Sequence, residues 1–178
     1  QERDFPMFAR TPRLLLRPGW HDDAGALSSA LNDAELARNL ARVPHPYAIE
    51  DAEAFLAQPI DPRHPRLLVF SRRTGRPRLI GGGGLRPGED GAVELGYWIA
   101  RPYWGLGFAT EAADALVRAG RAMGHRRIQA RHTVDNPASG RVLRKLGFRP
   151  TGDFTRVHSA ARGGDVLTIL FEDAGEPE

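Results

Sequence analysis

A glycine-punctuated turn between an apolar strand and a helix, residues 93–110, constrains this chain more than any other segment. Val93, Leu95, Tyr97, Trp98 and Ile99 are β-formers, and Pro102 ends the strand that they make. From Phe108 onward, Glu111-Ala112-Ala113-Asp114-Ala115-Leu116-Val117 reads as helix. Gly105 and Gly107 leave the backbone bare where a helix N-terminus exposes unpaired N–H groups. Those amides and the helix dipole suit a phosphate or pyrophosphate. The same residues also make a plain strand-to-helix turn, and local pattern leaves both readings open. Two familiar phosphate loops do not fit. A Walker loop ends in Gly-Lys-Ser/Thr, whereas Gly107 precedes Phe108 and Ala109. A dinucleotide fingerprint ends in Gly or Ala and needs an acid on the next strand. Here the motif ends in Thr110, and the segment around Ile128 lacks that acid.

A second segment, residues 134–148, reads Val-Asp-Asn-Pro-Ala-Ser-Gly-Arg-Val-Leu-Arg-Lys-Leu-Gly-Phe. Asn136 can cap a helix, Pro137 suits its first turn, and Gly147 can close it in a left-handed cap. Together with Trp-Gly-Leu-Gly-Phe-Ala-Thr-Glu-Ala at 104–112, this run resembles the GNAT superfamily of acyl-CoA-dependent N-acetyltransferases. The closer likeness is to its ribosomal-protein N-terminal acetyltransferase branch, whose first strand resembles Thr11-Pro12-Arg13-Leu14-Leu15-Leu16-Arg17. The resemblance runs from about residue 11 to 172, and the paired motifs are far more specific than either alone.

That resemblance implies an α/β (α+β) fold: a single GNAT-type domain over residues 1–178, with its core at about 11–172. It further implies a mixed, mostly antiparallel central sheet of about seven strands, splayed between the fourth and fifth and flanked by helices. Punctuation along the chain agrees. Strands are expected near 12–17, 66–71, 78–85, 93–99, 126–133, 148–157 and 164–171. Helices are expected from His21 to Leu31, over 33–40, from Glu50 to Ala57, from Phe108 to Met123 and over 136–146. Thr74-Gly75 reads as a turn, and Glu172–Glu178 as a frayed acidic tail. The Gly81–Gly84 run inside a strand marks either a close approach by substrate or packing under a large neighbour; packing is the favoured reading.

Composition narrows the class without naming a function. At 178 residues and 41% hydrophobic content the chain suits one domain with a sizeable core. It has no cysteine, which excludes disulfides and thiol catalysis. No apolar run approaches a membrane span and no signal-peptide core is evident, so a cytoplasmic location without membrane partners is expected. Net charge is +3, and Lys145 is the only lysine. The arginines are interleaved with 22 acids, which argues for a basic rim near coenzyme phosphates over a nucleic-acid surface.

Residue roles follow from the resemblance. Acetyl-CoA is the implied cosubstrate, with no metal. Its pantetheine arm pairs with the backbone of Trp98, Ile99 and Ala100. Its pyrophosphate lies over the turn formed by Trp104, Gly105, Leu106, Gly107, Phe108, Ala109 and Thr110. Tryptophan at position 104 departs from the superfamily's usual Arg or Gln but matches the ribosomal-protein branch. Asn136 meets the pantetheine amides, and Arg144 and Arg141 are candidates for the phosphates. Glu94 is the leading base, because a mid-strand carboxylate among apolar neighbours has a raised proton affinity. A structural glutamate bonded to backbone or arginine, with water as base, is the alternative. The superfamily's usual acid, a tyrosine on the second helix, is replaced by Leu143, and Ser139 lies one helical turn earlier on the same face. Serine is expected to hydrogen-bond the departing thiolate, or else to support the helix N-terminus. His132 and His45 are lesser acid–base candidates. Glu111 suits the dipole of its helix. Tyr47, Trp20 and the loops at 40–65 are expected to shape a pocket for a small-molecule or peptide amine. Homodimers are common in the family. The competing class is a non-catalytic CoA-binding or regulatory module on the same fold.

Overall fold

The structure, a computed structural model, describes residues 8–73 and 75–173. Eight strands form one sheet: β1 (Ala9–Arg10), β2 (Leu14–Arg17), β3 (Arg66–Ser71), β4 (Arg78–Pro87), β5 (Val93–Ile99), β6 (Ile128–Thr133), β7 (Phe148–Ser159) and β8 (Gly164–Asp173). Five α-helices accompany them: α1 (Ala24–Leu31), α2 (Ala34–Ala37), α3 (Ile49–Ala57), α4 (Phe108–Ala122) and α5 (Pro137–Lys145). The spatial order is β1-β2-β3-β4-β5-β6-β8-β7. Each neighbouring pair is antiparallel except β5–β6, which is parallel because α4 carries the chain back across the sheet. The sheet holds one strand more than expected, since residues 9–10 add a short edge to β2.

Side-chain alternation divides the core into two layers. Leu67 and Val69 of β3 face α4 and α5, and Leu68 and Phe70 face α1 and α3. The α4 layer gathers Leu14, Leu16, Leu95, Phe108, Leu116, Leu143, Phe148 and Phe171, all nearly inaccessible. The other layer holds Leu27, Leu31, Leu36, Tyr47 and Ala52. Alanines 112, 113 and 115 give α4 a smooth face, so it lies close to β4 and β5.

The glycine run in β4 is a packing device, as favoured from sequence. A Cβ at Gly82 would stand 2.7 Å from the Trp98 indole nitrogen, and one at Gly84 would stand 2.3 Å from the Pro65 carbonyl oxygen. At the other end of the chain, Glu172 and Asp173 are not a frayed tail. They close β8, with Glu172 bonded to Arg127 at 2.8 Å and Asp173 to Arg121. The rest of that expected tail, and Thr74 of the expected turn, lie outside the described residues. Among the described residues, no helix is long and apolar enough to cross a membrane.

Candidate active site

Strands β5 and β6 pair only at Val93–Ile128, Glu94–Gln129 and Leu95–Ala130, and then part. From Gly96 onward, the β6-facing edge of β5 therefore borders a gap, the expected splay. Backbone groups of successive residues point to opposite edges. The Ala100 N–H donates to Ile80 O at 2.8 Å, and its carbonyl accepts from the Tyr103 N–H. Trp98 O likewise points toward β4, 2.4 Å from where a Gly81 Cβ would stand. The groups at the gap thus belong to Tyr97 and Ile99. This corrects the sequence reading, which gave the backbone role to Trp98, Ile99 and Ala100; only Ile99 is placed for it. Trp104 closes the end of this edge, its indole N–H donating to Ile99 O at 2.6 Å.

The turn that follows is shaped by its glycines. Gly105 and Gly107 have φ of +75° and +81°, where an L side chain is strained. Gly107 caps α4 with no side chain bonded to the first-turn amides, so the N–H groups of Phe108, Ala109 and Thr110 point outward. The sequence did not reveal what holds the turn. Arg13, beside β2, donates through Nη1 to Leu106 O at 2.9 Å and through Nε to Glu111 at 2.6 Å, and its guanidinium lies 4.2 Å from the Phe108 ring centroid. Glu111 also accepts from the Thr11 hydroxyl and the Arg13 N–H. Burial works to raise the Glu111 carboxyl pKa, but these bonds outweigh it and hold it below the usual range. Its role is a structural joint, beyond the dipole contact expected.

A hollow of about 510 Å³ opens beside this turn, lined by the cations Arg13 and Lys145, the acids Glu111 and Asp114, and by Gly107, Thr110 and Leu146. Arg144, the expected phosphate ligand, does not line it. Its guanidinium turns to the Phe171 ring, 5.3 Å from the centroid, and Lys145 takes the place at the hollow. Arg141 is exposed on α5. Outward amides at a helix N-terminus beside Lys145 fit an anionic group such as a pyrophosphate, and the two acids of the hollow, Glu111 and Asp114, are paired with Arg13 and Arg118.

Across the splay stands α5. Pro137 opens it as expected, but Asn136 caps by position alone: its side chain bonds none of the helix amides. Leu143, at the position of the missing tyrosine, is fully buried. Ser139 Oγ lies 2.8 Å from the hydroxyl of Tyr97, a contact from β5 to the first turn of α5 that sequence reading had not foreseen. Burial raises the Tyr97 pKa to about 12 against a lowering contribution from Ser139, so the phenol keeps its proton.

Glu94 sits where the splay begins, on the strand face shared with Trp98. Its surroundings differ from the apolar setting expected. Arg86, its cross-strand partner, bonds Oε1 at 2.5 Å, and Arg131 of β6 lies 3.6 Å from Oε2. Beyond it, Arg162 and Arg38 both pair with Asp135, whose carboxyl is held well below the usual range chiefly by the Arg162 hydrogen bonds. With the Ala160 N–H bonded to Ala41 O, this pins the β7–β8 turn to the segment after α2.

Other candidates are engaged in packing or lie at the surface. His132 is buried against Phe171, with Nδ1 on Thr133 O at 2.7 Å, and His45 is exposed. Tyr47 belongs to the second core layer, and the exposed Trp20 stacks on Arg17 at 3.8 Å. Among the described residues, no group of acids and histidines could hold a metal ion.

The acetyltransferase (GNAT) domain family matches residues 13–149. The uncharacterized N-acetyltransferase YoaA of Bacillus subtilis (strain 168) is 33% identical over 156 residues, covering 83% of this chain and 85% of that protein. Among solved structures, a GNAT-family acetyltransferase from Bacillus anthracis superposes with a TM-score of 0.78 at 23% identity, covering 93% of this chain and 97% of the other. RimL, a ribosomal L7/L12 alpha-N-protein acetyltransferase solved with coenzyme A, superposes at 0.75 and 19% identity over 94% of this chain and 96% of its own. With the splayed β5–β6 pair and the uncapped α4 turn already in place, these likenesses establish the chain as a member of the GNAT acetyltransferase family, an acyltransferase that uses acetyl-CoA.

Proposed function

We propose that this enzyme moves the acetyl group of acetyl-CoA to a primary amine, on a protein N-terminus or a small molecule, by direct attack in a ternary complex. The observation that supports the reading is the release of β5 from β6 after Leu95, with the Tyr97 side chain reaching Ser139 at the start of α5. Acetyl-CoA supplies the activated acyl group and the thiolate leaving group. On this chain, Tyr97 and Ile99 main-chain groups and the Asn136 amide hold the pantetheine arm. The amides of Gly105 to Thr110, with Lys145, hold the phosphates, and Ser139 hydrogen-bonds the sulfur as charge develops there. No enzyme nucleophile is needed. We assign the reaction to the cytoplasm, where its donor is made available.

Two roles for Glu94 follow from one geometry. As base it would take the amine proton; as a strut it would lock β4, β5 and β6 together at the root of the splay. The Arg86 and Arg131 ion pairs favour the strut, with water taking the proton. Glu94→Gln separates the two: loss of the acid limb of the pH–rate profile marks the base, and an unchanged profile with a lower melting temperature marks the strut.

Thiol release from acetyl-CoA across N-terminal peptides, amino acids, polyamines and aminoglycosides tests the whole reading. Turnover with one class is expected. Saturable acetyl-CoA binding without thiol release on any acceptor would replace it with a binding module.

A further inference from the structure

Tyr97 carries a functional group at the splay that the roles above leave unused. Its strand neighbours on the same face, Leu95 and Ile99, are buried core residues, and its ring packs against that layer. Its hydroxyl, however, reaches α5. Two acceptors lie within hydrogen-bond reach, both on Ser139: Oγ at 2.8 Å and the carbonyl oxygen at 3.4 Å. The carbonyl lies in the first turn of α5, where it accepts along the helix, and 3.4 Å is a weak contact for O–H donors. The Oγ is therefore the partner that satisfies the phenol.

A serine hydroxyl has one hydrogen to donate and two lone pairs to accept with. If the phenol occupies one lone pair, the serine hydrogen is excluded from that direction and must point elsewhere. Among the described residues the Ser139 hydroxyl has no second hydrogen-bond partner, and the residue is partly exposed where α5 begins. A donor that itself accepts a hydrogen bond is also polarised by it, which strengthens its own donation.

We propose that Tyr97 is a positioning residue for Ser139: its phenol donates to Ser139 Oγ and so aims the serine hydrogen at the thioester sulfur in the splay. This rests on the proposed role of Ser139. In the transfer, the amine nitrogen forms a bond to the acyl carbon and the C–S bond breaks with its electron pair going to sulfur. The amine proton passes to water or Glu94, and the thiolate, held by Ser139 O–H, takes its proton from solvent. Tyr97 neither gains nor loses a proton in the cycle.

The test is a double-mutant cycle on Tyr97→Phe and Ser139→Ala, read as kcat, KM and acetyl-CoA affinity by calorimetry, with melting temperatures as control. Tyr97→Phe keeps the ring and removes only the hydroxyl. Each single variant is expected to lower kcat about 10-fold or more with acetyl-CoA affinity nearly unchanged, and the double variant to match the Ser139→Ala enzyme, because the two act as one unit. Ser139→Thr, which keeps the hydroxyl, is expected to restore part of the rate only when Tyr97 is present. A second readout needs no turnover. In the free protein labelled at tyrosine Cζ, the Tyr97 carbon resonance should stay that of a neutral phenol through pH 10 and shift in the Ser139→Ala variant. Full additivity of the two substitutions, or a Tyr97 resonance indifferent to Ser139, overturns the proposal. A wild-type protein that transfers no acetyl group overturns the assigned reaction instead, and the resonance then decides the pair by itself.

Discussion

Arg13 and Glu111, 98 residues apart in sequence, form the joint that fixes the start of α4 against β2. The carboxylate takes three hydrogen bonds from Thr11 and Arg13, and the same guanidinium reaches forward to the Leu106 carbonyl. The turn that presents the α4 amides is thus held by a residue outside it. Glu111→Ala is expected to destabilise the protein by about 1–2 kcal/mol, the range of a charge-assisted bond discounted for partial exposure. It should also weaken acetyl-CoA binding several-fold. Urea denaturation and calorimetry read the two effects, and intact affinity in the variant would detach this joint from the coenzyme site.

The same pair sets a pH dependence. Native bonding depresses the Glu111 pKa below its ordinary value near 4.5 despite burial acting in the opposite sense. The folded state therefore binds fewer protons than the unfolded state, and its advantage is complete above the unfolded pKa. It disappears as pH falls through the depressed native value. The stability gap between wild type and Glu111→Gln should be widest at pH 6–7 and shrink as pH drops below about 4. A gap of constant size from pH 7 to pH 3 would show that the carboxylate's charge is immaterial.

Gly107→Ala should strain the cap of α4, since its φ of +81° costs an L residue about 1–2 kcal/mol. The added methyl also meets Arg13 at 3.4 Å. Gly91→Ala supplies the control: φ there is +75°, with open space around the Cβ, in the turn between β4 and β5. Both variants should lose comparable stability, but only the first should lose acetyl-CoA affinity.

The β4 glycines rank by what surrounds them. An alanine at Gly84 drives its methyl into the Pro65 carbonyl, a backbone atom that cannot swing aside. An alanine at Gly82 meets the edge of the Trp98 indole, a side chain with some room to turn. Gly84→Ala should therefore be the more destabilising, with both in or above the overpacking range of about 1–3 kcal/mol. The reverse order in thermal unfolding would mean that the Trp98 ring is the more firmly fixed.

Asp23 accepts hydrogen bonds from Nη1 and Nη2 of Arg17 at 2.8 and 2.9 Å, and the guanidinium lies over the rings of both Trp20 and Phe70. Removing the carboxylate leaves a nearly buried cation without its partner. Asp23→Ala should cost about 3 kcal/mol or more, and Arg17→Met combined with it should recover part of that loss. Denaturant midpoints for the three variants check this.

Much of the architecture was legible because it depends on local chemistry. The apolar run Leu67-Leu68-Val69-Phe70, the glycines at 105 and 107, Pro137 at the start of α5 and Gly147 after its end are signals that neighbouring residues read from one another. The two extra residues of β1 and the pairing of Glu172 and Asp173 were not legible, because only a partner strand or a distant arginine gives such short polar segments a reason to be ordered.

At the site the division is similar. The local conformation of the Gly105–Thr110 turn and of the helix start that holds Asn136 and Ser139 was legible in sequence, because glycine and proline set it within a few residues. The partners of Arg13, Glu94, Tyr97, Lys145 and Arg144 could not. The strand pattern placed Tyr97 among the β-formers of β5 but not against Ser139, and Glu94 in mid-strand but not between two arginines. Those outcomes depend on the register of β4 against β5, the three-residue pairing of β5 with β6, and the rotation of α5 over the sheet. The sequence by itself determined which segments become strand, turn and helix, because conformational preference acts within a few residues. Only the tertiary structure decided which charges and hydroxyls meet, because hydrogen bonds and ion pairs depend on ångström separations set by packing across the whole chain.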